Sequence, residues 1–126
     1  MTLNELTLNE PCDLNAVDAR RLIGRKRLSP VELLESCIAR IEMVNPTINA
    51  VVATCYDRAR DEARAATEAL LRGEDLPPLH GLPIGVKDLS NTAGLRTTYG
   101  SPIYADFVPD EDERIVAALR KAGAIV

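Results

Sequence analysis

Lys87 and Asp88 follow the apolar run Leu82-Pro83-Ile84-Gly85-Val86. A lysine at the end of a buried strand is the residue of this chain best suited to act as a base. Desolvation penalises an ammonium, so a partly buried lysine gives up its proton more readily and leaves a basic amine. Pattern alone favours a plainer role, in which Lys87 guards a sheet edge or pairs with Asp88. Neighbouring side chains on a strand point to opposite faces, so such a pair requires the strand to end or bend there. The single histidine, His80, lies in Pro77-Pro78-Leu79-His80-Gly81. No serine or cysteine stands in a motif relation to it, and a solvated or turn-bonded ring is expected rather than a general base.

No nucleophile accompanies these residues. Ser29, Ser36, Ser90 and Ser101 all lie outside any Gly-x-Ser-x-Gly elbow or Gly/Ser-rich loop that could offer backbone donors to an oxyanion. Ser29 is accounted for by helix capping, Ser36 by a helix face, and Ser90 and Ser101 by turns. Neither Gly-x-Gly-x-x-Gly nor a P-loop Gly-Lys-Ser/Thr occurs, so phosphate binding has no support. Asp110-Glu111-Asp112-Glu113 reads as the first turn of a helix rather than a metal site. Cys12, Cys37 and Cys55 are odd in number, widely spaced and without a histidine cluster, which suggests buried thiols and neither a disulfide framework nor zinc.

The elements that must position these residues are mostly helical up to Leu76. Asp13 or Asn15 can cap a helix to about Arg27, with Val17, Leu22 and Ile23 on its apolar side. Ser29-Pro30-Val31-Glu32 is a capping box with proline at the first helical position. From there Val31, Leu34, Ile38 and Ile41 lay an apolar face along a helix that Asn45-Pro46 should stop. Ile48 to Ala53 reads as a short strand or extended segment. Cys55 to Arg72 reads as a long helix with Gly73 as its C-terminal cap. Residues 77–123 then carry five of the eight prolines and five of the seven glycines, so turns replace helix. Leu82–Val86 is a plausible buried strand, and Ser90–Tyr104 has the makings of hairpin and loop. A helix from Asp110 to Lys121 should follow, with acids first and bases last. Ala124-Ile125-Val126 reads as the opening of a strand, and three residues are short for one. The chain is therefore expected to be a piece of a longer polypeptide.

The 126 residues, 46% hydrophobic and 27% charged with a formal charge of −4, describe one globular domain or part of one. The acidic balance argues against a nucleic-acid partner or an anionic membrane, and Arg25-Lys26-Arg27 suits the end of a helix dipole. Residues 1–12 lack the charged and apolar regions of a secretory signal, and no apolar run approaches a membrane span. A cytoplasmic location is expected. The sequence TLNE occurs at residues 2–5 and 7–10, too short a duplication for a structural repeat.

The series Leu79-His80-Gly81-Leu82-Pro83-Ile84-Gly85-Val86-Lys87-Asp88, then Gly94, Thr97-Thr98-Tyr99-Gly100-Ser101, Pro109, Asp112 and Ala122-Gly123-Ala124-Ile125, resembles the N-terminal part of the amidase signature family. Ser29-Pro30-Val31-Glu32-Leu33, Ala39-Arg40-Ile41, Asn45-Pro46 and Ile48-Asn49-Ala50 look like that family's leading helices. The resemblance implies an α/β fold in which helices pack on a mixed twisted sheet, here incomplete. Residues 1–126 would be the N-terminal part of a single domain, with 1–12 flexible, 13–76 the leading helices and 77–126 the first strands. It also implies hydrolysis of a carboxamide C–N bond by a Ser-cisSer-Lys triad, without cofactor or metal. Lys87 would be the triad lysine, and Asp88, Thr98, Gly100 and Ser101 would be supporting architecture. Both serines of the triad belong to a region of the family downstream of this segment, so the 126-residue polypeptide is expected to be inactive alone. The implied partner is a small-molecule amide. A homo-oligomer is left open, as is self-association through an exposed edge at Ala124–Val126. The glutaminase subunit of a tRNA-dependent amidotransferase resembles these amidases too and is the alternative activity. A non-catalytic interaction module is the third reading.

Overall fold

The computed structural model describes residues 10–126. They form a 3-10 turn Pro11–Asp13, α1 Ala16–Gly24, α2 Pro30–Ile48, α3 Tyr56–Arg72, a second 3-10 turn Pro102–Tyr104 and α4 Arg114–Lys121. The first TLNE copy, most of the second, and most of the terminus expected to be flexible lie outside the described residues.

α1 starts where Asn15 Oδ1 accepts the Asp18 N–H at 2.9 Å, which satisfies one of the unpaired donors of its first turn. It stops at Gly24 rather than near Arg27. Lys26 adopts a left-handed φ of 57° and the Arg27 N–H returns to the Leu22 carbonyl at 2.9 Å, closing a Schellman turn. Ala19 and Ile23, four residues apart, form the buried stripe. Val17 falls on the opposite side of the helix and is 67% exposed, contrary to its expected place on the apolar face.

α2 opens on the expected capping box, with Ser29 Oγ accepting the Glu32 N–H at 3.0 Å and Glu32 Oε2 accepting the Ser29 N–H at 2.9 Å. It runs through Pro46 to Ile48. A proline in the last turn removes a single ladder bond, so termination waits for Asn49, at φ 48°. The Asn45 side chain then folds the outgoing chain back, since Val51 N–H donates to its Oδ1 at 2.8 Å and its Nδ2 donates to the Val51 carbonyl at 2.9 Å. Those two bonds occupy both backbone groups of Val51. Residues 50–53 consequently form no strand, which leaves the extended segment of the two expected readings.

α3 ends as expected at Gly73, φ 74°. Its Ala59 and Ala63 let it lie close against Leu34 and Ile38 of α2, and Ile125 completes this cluster. Leu33, on another side of α2, joins Ala19, Ile23, Leu28, Leu70 and Leu82 in a second cluster. α2 thus divides the apolar interior into two.

Among the described residues no strand forms, so the sheet of the expected α/β fold is not seen. Leu82–Val86 and Ala124–Val126 meet only in an isolated parallel bridge between Pro83 and Ile125. Around it the Ile125 N–H donates to the Leu82 carbonyl at 2.9 Å and the Ile84 N–H to the Ile125 carbonyl at 2.7 Å, the alternation of a parallel ladder. Pro83 has no N–H with which to extend the ladder on its other side. Ser90–Tyr104 holds one antiparallel bridge, Thr92 to Leu95, and no hairpin.

α4 begins at Arg114, after the acidic run that was expected to be its first turn. The acids are used for docking instead. Asp112 Oδ1 accepts the Ala93 N–H at 2.7 Å and the Glu113 N–H donates to the Asn91 carbonyl at 2.8 Å. Arg120 and Lys121 occupy the last turn as the helix dipole favours. No helix of the described residues is long and apolar enough to cross a membrane.

Candidate functional site

Lys87 lies just past the Ile84–Ile125 seam, at the start of a turn closed by the Ser90 N–H on the Lys87 carbonyl at 2.9 Å. The chain bends there, as a change of direction between Lys87 and Asp88 requires. Asp88 does not turn to Lys87. Its carboxylate accepts the Thr98 N–H at 2.8 Å and the Thr98 hydroxyl, and its carbonyl accepts the Tyr99 N–H at 2.9 Å. The Thr98 hydroxyl oxygen in turn accepts the Gly100 N–H at 3.2 Å.

These bonds set the charge of Asp88. The Thr98 hydroxyl and then the Thr98 N–H hold its carboxyl below the usual aspartate range against the opposing effect of burial, with help from the Arg96 charge and the Gly100 N–H. Asp88 is therefore a fixed anion whose acceptor capacity is spent on the neighbouring loop. The Lys87 side chain is exposed rather than desolvated as expected, and Asp88 does not take it as a partner.

Lys87 and Asp88 line a cavity of about 810 Å³. One wall is α2 through Leu34, Ile38 and Ile41; the others are residues 50–56, 83–90 and the loop around Arg96–Gly100. The walls are mainly apolar, so charged groups in this cavity act in a medium where they interact more strongly than in water.

The residues singled out from sequence separate here. Asp88, Thr98 and Gly100 form one hydrogen-bonded cluster, which Lys87 joins only as the chain neighbour of Asp88. Ser101 faces other work, its Oγ accepting the Ile103 N–H at 3.3 Å to cap the 3-10 turn. Ser29 caps α2, and Ser90 lies in the Lys87 turn and on the cavity wall. His80 is buried rather than solvated, with its Nε2 2.8 Å from the Ala66 carbonyl of α3. The three cysteines are free but half-buried, less deeply placed than expected.

Two arginines that sequence reading missed brace the cavity loops. Arg96 donates from Nη2 to the Val52 carbonyl at 2.6 Å and from Nη1 to the Ala105 carbonyl at 3.4 Å. Arg58 donates from Nη1 to the Ala93 carbonyl at 2.7 Å. No local signal marks an arginine whose partners are backbone carbonyls 9 to 44 residues away. Tyr99 likewise donates its phenol to Asn91 Oδ1 and packs edge-on to Tyr104 with ring centroids 5.0 Å apart.

Residues 32–126 match the Amidase family profile. The chain is 39% identical over 117 residues to the A-type subunit of the glutamyl-tRNA(Gln) amidotransferase of Anaeromyxobacter dehalogenans (strain 2CP-C), covering 93% of this chain and 24% of that protein. It superposes on the peptide amidase of Stenotrophomonas maltophilia with a TM-score of 0.82 and 30% identity, covering 90% of this chain and 24% of the other. A bacterial aryl acylamidase of the amidase signature enzymes gives a TM-score of 0.81 and 28% identity over 89% of this chain and 24% of the other. The chain thus spans about a quarter of the length of these relatives. With the profile covering most of the sequence and the backbone following amidase structures over nearly all of its described length, the chain belongs to the amidase signature family.

Proposed function

We propose that this chain is the portion of an amide-hydrolysing enzyme that carries the proton-accepting lysine, Lys87. The observation that supports this most directly is the Asp88–Thr98 clasp. It fixes the turn that bears Lys87 while removing the nearest carboxylate as a partner for the amine. In the triad implied by the family, the neutral Lys87 Nζ takes a proton from a bridging serine, and that serine takes one from the nucleophilic serine. The nucleophile then attacks the amide carbon to form an acyl-enzyme that water cleaves. Neither serine's role passes to a residue of this segment, so the polypeptide of 126 residues is expected to be inactive by itself. Residues 13–76 would supply the leading helices of a single domain. Residues 77–126 would supply its first strands, with the Leu82–Ile125 seam as the start of the sheet. The substrate is a small carboxamide.

The experiment uses the gene product as the cell makes it. Its intact mass is measured, and ammonia release is followed from simple carboxamides and from glutamine. Lys87→Ala should lower kcat at least about 1000-fold, the scale of losing one member of a cooperating triad, with unchanged thermal stability. Undiminished turnover in that variant would overturn the assignment.

A second reading is the glutamine-hydrolysing subunit of a tRNA-dependent amidotransferase. It is favoured by the 39% identity to a protein of that kind, against 30% and 28% for the two amidase structures. Release of ammonia from glutamine but not from simple carboxamides, together with co-purifying subunits, would select it.

A further inference from the structure

Two of the three thiols, Cys12 and Cys37, are drawn to one side of α2, and Cys37 also stands on the wall of the Lys87 cavity. The Cys12 N–H donates to Ser36 Oγ at 3.0 Å, which sets the Pro11–Asp13 turn against the helix one residue before Cys37. Arg40, one turn further along, reaches Glu10 at 3.4 Å and Asp13 at 3.1 Å, so both flanks of Cys12 are tied to the same stretch. On a helix with about 100° per residue, Ser36, Arg40 and Cys37 lie within about 100° of arc, with Arg40 between the other two. The Cys12 sulfur lies 3.6 Å from Glu10 Oε2, on the side of the Glu10–Arg40 pair. Burial pushes the Cys37 thiol up. Cys55 stands elsewhere, with its sulfur against the Val126 carbonyl at 3.3 Å.

We propose that Cys12 and Cys37 form a redox-responsive pair that closes to a disulfide in the presence of a hydroperoxide and clamps the N-terminal turn onto α2. One thiol is oxidised to a sulfenic acid while the peroxide O–O bond breaks and leaves as water or an alcohol. The second sulfur then attacks the sulfenic sulfur, the S–S bond forms, and the hydroxyl departs as water. Two thiols are thereby oxidised by one peroxide, and a dithiol reductant reverses the change.

The clamp encloses a segment holding all of α1 and the first half of α2, so it restricts the unfolded chain more than the folded one. Its effect is therefore expected chiefly on the persistence of this corner.

The test treats the purified native polypeptide with a near-stoichiometric hydroperoxide, then maps thiols by alkylation and peptide mass. Expected are the loss of two alkylatable thiols and of two hydrogens from the intact mass, and a single peptide pair joining Cys12 to Cys37. The melting temperature should rise on the order of 5 °C, reversibly with dithiol. Cys55→Ser should behave identically, and Cys12→Ser or Cys37→Ser should abolish the link. The Cys55→Ser variant keeps the test decisive should a Cys37 replacement fail to fold. A sulfinic acid on Cys12 with Cys37 still alkylatable, a bond through Cys55, or linkage only between two chains would each overturn the proposal.

Discussion

At the residue scale the candidate site depends on a division of labour between adjacent side chains. An apolar run led up to Lys87 and drew attention to it, but pattern alone favoured a structural role and the family resemblance made it the candidate base. Asp88 looked like its ion-pair partner. What decided the matter was Thr98, separated from Asp88 by 10 positions and joined to it by two hydrogen bonds that no local pattern announces. This clasp predicts a pH signature. Asp88 has a depressed carboxyl pKa in the folded state, so its contribution to stability is fully present above the ordinary aspartate value of about 3.9. It is lost as the pH falls through the lower folded-state value. Thr98→Val removes the strongest of the stabilising hydrogen bonds. In acid titrations followed by circular dichroism, the variant should show less loss of stability below about pH 4 than the parent. Asp88→Asn should remove this contribution to the slope altogether. Equal slopes in all three proteins would mean that the clasp carries no linked proton.

At the scale of elements, most helix starts and stops were readable because capping chemistry is local. Ser29 with Glu32, Asn15, and Gly73 all sit where their side chains or their freedom of φ demand. The failures share a cause, in that a distant partner claimed backbone groups the local pattern had assigned elsewhere. Asn45 took both groups of Val51 from a strand, and Ala93 and Asn91 took the acidic run from α4. Asn45→Ala should therefore cost about 1–3 kcal/mol in denaturant unfolding, because two partly buried backbone groups lose their partner at once. The turn after α1 offers the opposite case. Lys26 holds a left-handed φ of 57° that glycine accommodates without penalty, so Lys26→Gly should stabilise the protein by up to about 1 kcal/mol. A midpoint shifted to lower denaturant would show that the lysine side chain has a compensating contact.

For the whole molecule, the sequence indicated one apolar face of α2 and the overall family, while the second side of α2, through Leu33, was not read and the sheet is not seen among the described residues. Three apolar residues at Ala124–Val126 and the run at Leu82–Val86 have strand composition, yet only one bridge joins them in the described residues. Composition reports partial burial here, since each segment sends residues into the core, Leu82 at 7% and Ile125 at 3% exposure, while Gly85 is exposed. Gly123 and Gly81 show how closely the chain beside these segments is pressed against its neighbours, Gly123 against His80 and Gly81 against the first turn of α2. A methyl group at Gly123 would stand 2.7 Å from the His80 Cα, and one at Gly81 would stand 2.6 Å from Pro30 Cγ.

The bonds between Leu82, Ile84 and Ile125 bring together stretches some 40 residues apart, with α4 and the loops between them. Closing so large a loop costs conformational entropy before any contact repays it, whereas the helices need only local turns. The seam should accordingly be absent from the rate-limiting step of folding and be among the last parts to lock. Ile125→Val, which removes one methylene from this seam, should speed unfolding several-fold while leaving the refolding rate almost unchanged in stopped-flow measurements. On this account the time at which Lys87 reaches its working position is governed by a pairing with a segment far along the chain, so the candidate site would be the slowest feature of the molecule to mature.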